Sequence, residues 1–146
     1  VRLGGRDMYD FAPAEWRRVV GYLQSESQWW QDRIGDHFPV GTPDGLEALG
    51  LPSGCMAWEV GRCSTGERQR LALLRLLANR PRVLLLDEPT ASLDPAATTA
   101  VEALLDRYRR ERGAALVWVS HDPAQIRRVG DRHLRVVAGT LREEAA

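Results

Sequence analysis

Apolar and polar positions follow two different rhythms along the chain. Residues 83–86 (VLLL) form a short unbroken apolar run after Pro81, and residues 115–119 (ALVWV) form a second. Runs this short and continuous suit strands buried on both faces, as in a parallel sheet with helices above and below. Residues 19–23 (VVGYL), apolar and partly β-branched, predict another strand. Elsewhere the period is helical. Leu71, Leu74 and Ala78 share one face of a helix over about 65–77, and Leu73, Leu76 and Leu77 widen that face. A helix this apolar is expected to be buried on two sides, with Asn79 and Pro81 ending it. After Asp94-Pro95, Val101, Leu104, Leu105 and Tyr108 recur at i, i+3, i+4 and i+7, which predicts an amphipathic helix to about Arg112, with Gly113 as its C-cap. Arg107, Arg109, Arg110 and Arg112 crowd its last turns, where cations favour the helix dipole, and read as a solvated end.

The remaining segments are shorter. Residues 1–6 suggest a small strand leading into a turn, 13–18 a brief helix started by Pro13, and 124–129 another short helix. Residues 134–138 and 140–142 predict a hairpin about Gly139, followed by a frayed end over 143–146. Residues 32–62 are the least regular part. A short helix is expected over 44–49, with turns at Thr42-Pro43, Leu51-Pro52 and Ser53-Gly54. The alternation of strands and helices is that of an α/β fold.

Composition narrows the function classes. At 146 residues the chain is long enough for one domain with its own core, and 44% apolar residues argue against disorder. Formal net charge is zero, so nothing points to nucleic acid or to direct attraction to a membrane surface. No apolar run approaches a membrane span and no signal peptide is visible, so any membrane link is expected to come through a partner. Cys55 and Cys63 match no common metal spacing and read as two reduced thiols, Cys63 in an apolar packing role. His37 and His133 have no evident partners and are expected at the surface. All 20 basic residues are Arg. The phosphate-binding pattern G-x-x-x-x-G-K-[ST] needs a Lys and so is absent. Val1 is not a Met, which leaves open that the chain begins inside a longer reading frame.

Candidate chemistry gathers between Cys63 and Asp94. Asp87 and Glu88 follow the 83–86 strand directly, and Pro89 stops the ladder. Ligands of open α/β sheets bind beyond the carboxyl ends of the strands. Adjacent acids there suit Mg²⁺, one holding the metal shell while the other polarises a water. Ser64 and Glu67 fit a capping box at a helix start, with Gly66 allowing close backbone approach to an anion at the free N–H groups. His121 follows the 115–119 strand on the same edge of the sheet.

These motifs together resemble the core of an ATP-binding cassette (ABC) ATPase. Residues 64–70 (STGERQR) resemble the family's signature motif, 83–88 its Walker B strand, 91–94 (ASLD) its D-loop and 120–122 (SHD) its switch-histidine loop, all in the family's order and spacing. The resemblance implies a P-loop NTPase-like, mostly parallel sheet flanked by helices, with a small helical subdomain and without the N-terminal strands and P-loop. Residues 24–80 would hold the Q-loop-like region, the helical subdomain and the signature helix, and residues 81–146 the Walker B, D-loop and switch core.

It further implies ATP and Mg²⁺ as ligands. Asp87 would hold the metal, Glu88 would serve as general base and His121 would position the γ-phosphate. Ser64, Thr65, Gly66 and Glu67 would meet ATP bound to an opposing cassette, and Asp94 would communicate across that homo- or heterodimer. Thr65 stands where the family has a Gly and Glu67 where it has Gln. The Q-loop glutamine position, counted from Tyr22, falls on Ser25, with Gln24 one residue early. Trp29 and Trp30 either dock a membrane permease subunit or pack within their own lobe. A transporter subunit of this kind works in the cytoplasm, at the inner face of the membrane. Other readings are a non-catalytic cassette remnant that regulates a partner, and one lobe of a chromosome-maintenance ATPase of the SMC type. The latter lobe should follow a long coiled coil, and residues 1–30 show no heptads.

Overall fold

The computed structural model describes residues 1–38 and 41–144. A two-strand hairpin, β1 (Arg2–Leu3) and β2 (Arg6–Asp7), turns at Gly4-Gly5 and leads to helix α1 (Pro13–Val19) and strand β3 (Val20–Leu23). An irregular lobe follows, then α2 (Thr65–Ala78), β4 (Val83–Asp87), α3 (Pro95–Arg112), β5 (Ala115–Val119) and α4 (Pro123–Val129). A hairpin of β6 (His133–Val137) and β7 (Thr140–Glu144) closes the described chain, turning at Ala138 and Gly139, both at positive φ. The helices start and stop where their caps dictate. Asp94 accepts from the Ala97 N–H at 2.9 Å to open α3, and Gly113 ends it at φ +60°.

The central sheet is parallel, in the order β3-β4-β5, with Leu23 opposite Leu86 and Leu86 opposite Trp118. Strand alternation puts Leu23, Leu84, Leu86 and Trp118 on one face. There they meet Leu71, Leu73 and Leu74 of α2 and Val101, Leu104 and Leu105 of α3 in the hydrophobic core. Four successive α2 residues, 71–74, are buried, so this helix is indeed enclosed on more than one side. The other face of the sheet differs from expectation. Tyr22 (55% exposed), Val117 (54%) and Val119 (48%) look outward, so β5 is half-exposed rather than buried. An apolar run can show that both faces of a strand are fit for burial. It cannot show that a second layer is present, and α2 and α3 pack on one face.

The lobe between β3 and α2 is built from single 3-10 turns at Ile34–His37, Glu47–Leu49, Ser53–Ala57 and Val60–Arg62. The helix expected over 44–49 shrinks to one such turn because Gly45 and Gly50, at φ +94° and +65°, bracket it. Ile34, Leu49 and Cys55 are fully buried beneath the lobe, and Cys63 is buried beside them, all continuous with the main core. Burial raises the pKa of both thiols above the usual value.

His37 is not a surface residue. It is 7% exposed, and its Nε2 accepts the backbone N–H groups of Trp30 and Gln31, each at 3.0 Å. Two acceptor bonds at Nε2 put the ring proton on Nδ1, which lies 3.0 Å from the Arg33 carbonyl. Its partners are backbone groups, which side-chain spacing in a sequence does not reveal. His133 is half-buried against Gly130. Residues 143 and 144, expected to fray, are paired with Leu134 and His133, and Glu143 accepts two bonds from Arg132 at 2.8 Å. Residues 145 and 146 lie outside the described residues.

Candidate active site

Asp87 ends β4 on the open face of the sheet. The Tyr22 hydroxyl donates to its Oδ2 at 3.3 Å from the neighbouring strand. Desolvation, and then the negative charge of Asp87 beside it, raise the phenol's pKa.

Glu88 is the first residue past the strand and stands at φ +49°, a left-handed conformation that costs a non-glycine residue about 1–3 kcal/mol. Its N–H is held by the Val119 carbonyl at 3.1 Å, and its own carbonyl accepts from Ala91. This anchoring to the ends of two adjacent strands fixes the strained backbone. The Glu88 Oε1 atom is buried and accepts no hydrogen bond among the described residues. His121 Nε2 lies 3.5 Å from it, on a side chain that is 95% exposed. A buried, unpartnered carboxylate oxygen is costly. Here it is kept in contact with the imidazole that leads off the adjoining strand.

The helix start at Ser64 forms the expected capping box. Ser64 Oγ accepts from the Glu67 N–H at 3.2 Å, and Glu67 Oε2 accepts from the Ser64 N–H at 2.7 Å. The hydrogen bonds from Ser64 hold the Glu67 carboxyl below its ordinary pKa. Thr65 Oγ1 accepts a long bond, 3.4 Å, from Arg68. Gly66 leaves little room for a side chain. A Cβ there would stand 3.1 Å from the Ser92 carbonyl oxygen and 3.3 Å from Leu93 Cδ2. The start of α2 is therefore pressed against the loop that runs from Glu88 to Asp94. Asp94 itself caps α3.

Gln24 follows β3 directly, is exposed, and makes no side-chain hydrogen bond among the described residues. It lines a cleft of about 250 Å³ with Tyr22, Ser27, Trp30 and Arg75. The structure thus gathers Asp87, Glu88 and His121 at one edge of the sheet, and joins the 64–67 segment to the 88–94 loop. Three further residues enter that pattern reading did not single out for these roles. Tyr22 reaches Asp87, Arg75 stacks on Trp29 and Trp30, and Gln125 binds two loops at once. Each acts through a contact distant in sequence, for which no local motif exists.

Among the described residues, no three His, Cys, Asp or Glu side chains converge on one point. The donor set is therefore not an all-protein cage. It fits Mg²⁺, which takes one or two carboxylates and fills its shell with water and phosphate oxygens. No helix of the described residues is long and apolar enough to cross a membrane.

The parallel sheet thus carries two acids and a histidine at its carboxyl edge, with a capped helix start against the loop that follows the acids. The chain belongs to the ABC transporter family, whose model matches residues 1–91. It is 32% identical over 134 residues to the probable iron export ATP-binding protein FetA of Escherichia coli, a match that covers 84% of this chain and 60% of that protein. It is 48% identical over 85 residues to a probable anion import ATP-binding protein of Haloferax volcanii, covering 58% of this chain and 29% of that one. The chain thus spans less than two thirds of these relatives. Its fold matches a dimeric ATP-binding cassette in a post-hydrolysis state bound to ADP and Pi, with a TM-score of 0.80 at 22% identity, over 97% of this chain and 71% of the other.

Proposed function

We propose that this chain is the signature, Walker B and switch portion of an ATP-hydrolysing subunit that drives an ABC transporter through a separate membrane permease. The observation that carries the reading is the Glu88–His121 contact beside Asp87, at the carboxyl edge of β4 and β5. Asp87 would hold Mg²⁺, and the metal, when bound, neutralises phosphate charge. Glu88 takes the proton of the attacking water, and its closed-off Oε1 keeps the base free of competing donors. His121, swung into solvent, reaches the γ-phosphate. Ser64, Thr65, Gly66 and Glu67 present the start of α2 to ATP held by an opposing cassette. Asp94 would communicate across the seam between the two cassettes, in a homo- or heterodimer, and Gln24 would flank the nucleotide side of β3.

The test is phosphate release from ATP by the full-length protein, assembled with its permease. Release that requires Mg²⁺ and stops with EDTA is expected; no release in the assembled complex overturns the reading.

The same reading places the protein in the cytoplasm, at the inner face of the membrane. Of the two tryptophans, Trp29 is partly buried against the core, and Trp30 is 67% exposed. The Arg75 guanidinium lies 4.4 Å from the Trp29 ring and 4.9 Å from the Trp30 ring, and donates to the Gln28 carbonyl at 3.0 Å. This braces Trp30 at the mouth of the cleft without covering it. Rigid exposed tryptophans are frequent anchors of protein interfaces, each contributing about 2 kcal/mol or more. Trp30→Ala is expected to weaken permease binding by about 30-fold in a pull-down titration, with little change in thermal stability. Unaltered binding by a folded variant would remove Trp30 from the interface.

A further inference from the structure

The proposed chemistry depends on two loops, residues 88–94 after β4 and residues 120–122 after β5. One buried side chain is bonded to both. Gln125, in the first turn of α4, is 3% exposed. Its amide is fully used. Oε1 accepts from Ser120 Oγ at 2.8 Å, while Nε2 donates to Thr90 Oγ1 at 2.9 Å and to Glu102 Oε1 at 2.8 Å. Each of these contacts continues outward. Ser120 Oγ accepts the Asp122 N–H at 3.1 Å and so closes the turn that carries His121. Thr90 lies two residues beyond Glu88, and its carbonyl accepts from the Leu93 N–H in the loop that presses on Gly66. Glu102, on α3, is gripped by Arg128 through two bonds of 2.7 Å.

The arrangement matters because the two reacting side chains do not secure themselves. The His121 side chain is 95% exposed and lies 3.5 Å from Glu88 Oε1, which accepts no hydrogen bond among the described residues. Their separation is set by the backbones of the two loops. The first loop is tied by the Glu88 N–H to the Val119 carbonyl at the end of β5, just before the second loop, and the two loops are joined through side chains at Gln125. A primary amide suits this place. It offers an acceptor to the Ser120 loop and donors to Thr90 and the Glu102 carboxylate from one rigid plane. A carboxylate there would face Glu102 with like charge, and an aliphatic side chain would take one hydrogen-bond partner from each of Ser120, Thr90 and Glu102.

We infer that Gln125 is a positioning residue, holding the loop of His121 in register with the loop of Glu88 and Asp94. This rests on the ATPase reading above for its catalytic consequence, but not for the physical coupling.

The experiment uses the full-length protein with its permease. Gln125→Leu is expected to lower kcat for ATP hydrolysis by about 10- to 100-fold, the scale of a displacement near 1 Å, while KM changes less than about threefold. Backbone amides at 90–94 and 120–122 should exchange hydrogen at least about tenfold faster, with α2 and β4 unchanged. Gln125→Glu should be similarly impaired. Combining it with Glu102→Gln restores a donor opposite an acceptor, and should recover most of the lost kcat. A Gln125→Leu variant with kcat within twofold of the parent overturns the inference, provided Glu88→Gln is inactive in the same assay. Uniform acceleration of exchange throughout the core also overturns it, because the role is then only structural. Should the parent protein fail to hydrolyse ATP, the ATPase reading falls separately. The exchange pattern then decides the coupling alone: acceleration confined to both loops supports it, and unchanged loops overturn it.

Discussion

Glu88→Gln in the full-length protein is expected to lower ATP turnover by about 10²- to 10⁴-fold, the contribution of a positioned general base, while leaving ATP binding intact. The substitution preserves shape. It keeps the left-handed backbone at residue 88 and its bond to Val119, so the geometry of both loops should survive. What it removes is the ability to take a proton. Stability should move the other way from activity. The parent residue holds a buried carboxylate oxygen with no hydrogen bond, and a neutral amide is cheaper to bury there. An inactive variant with an unchanged or raised melting temperature is the expected pair of results, measured by phosphate release at saturating ATP and by thermal unfolding. Full turnover in this variant would strip Glu88 of its role.

The second large effect concerns the sheet. In the 146-residue chain, Leu84→Ala should destabilise by about 2–5 kcal/mol, and Leu85→Ala by less than about 1 kcal/mol. The two residues are adjacent in β4 and chemically identical. Leu84 is completely buried between the sheet and its helices, whereas Leu85 pairs with Tyr22 and Val117 on the open face. Urea unfolding of the two variants measures the asymmetry directly. Equal losses would mean that the second face is covered in solution, as by self-association.

Local signals in the sequence located most elements because their causes are local. The 65–77 helix is observed at Thr65–Ala78, and its capping box forms as read, since Ser64 and Glu67 are three residues apart. The 3.6-residue stripe of Val101, Leu104 and Leu105 faces the core, and Gly113 takes the αL conformation that ends α3. The acids and His121 were legible because the ends of adjacent parallel strands must lie side by side. What stayed hidden depends on distant partners. His37 looked solitary because it binds backbone. The two adjacent tryptophans split, one partly buried and one exposed, and both rings lie against Arg75 from a helix some 45 residues on. Gln125 looked like an ordinary polar residue of a short helix, and only the fold brings it to Thr90 and Glu102.

The open face has an electrical consequence. Tyr22 is more than half exposed, Asp87 beside it is half-buried, and the His121 side chain is almost wholly in solvent. Water there weakens every charge interaction the site could use. Two unit charges 4 Å apart interact by about 1 kcal/mol in bulk water and about 4 kcal/mol at the effective dielectric of a protein surface. Whatever layer comes to lie on this face therefore does more than protect apolar side chains. By lowering the local dielectric it sets the strength of the field at Asp87, and acts as the gain control of the site.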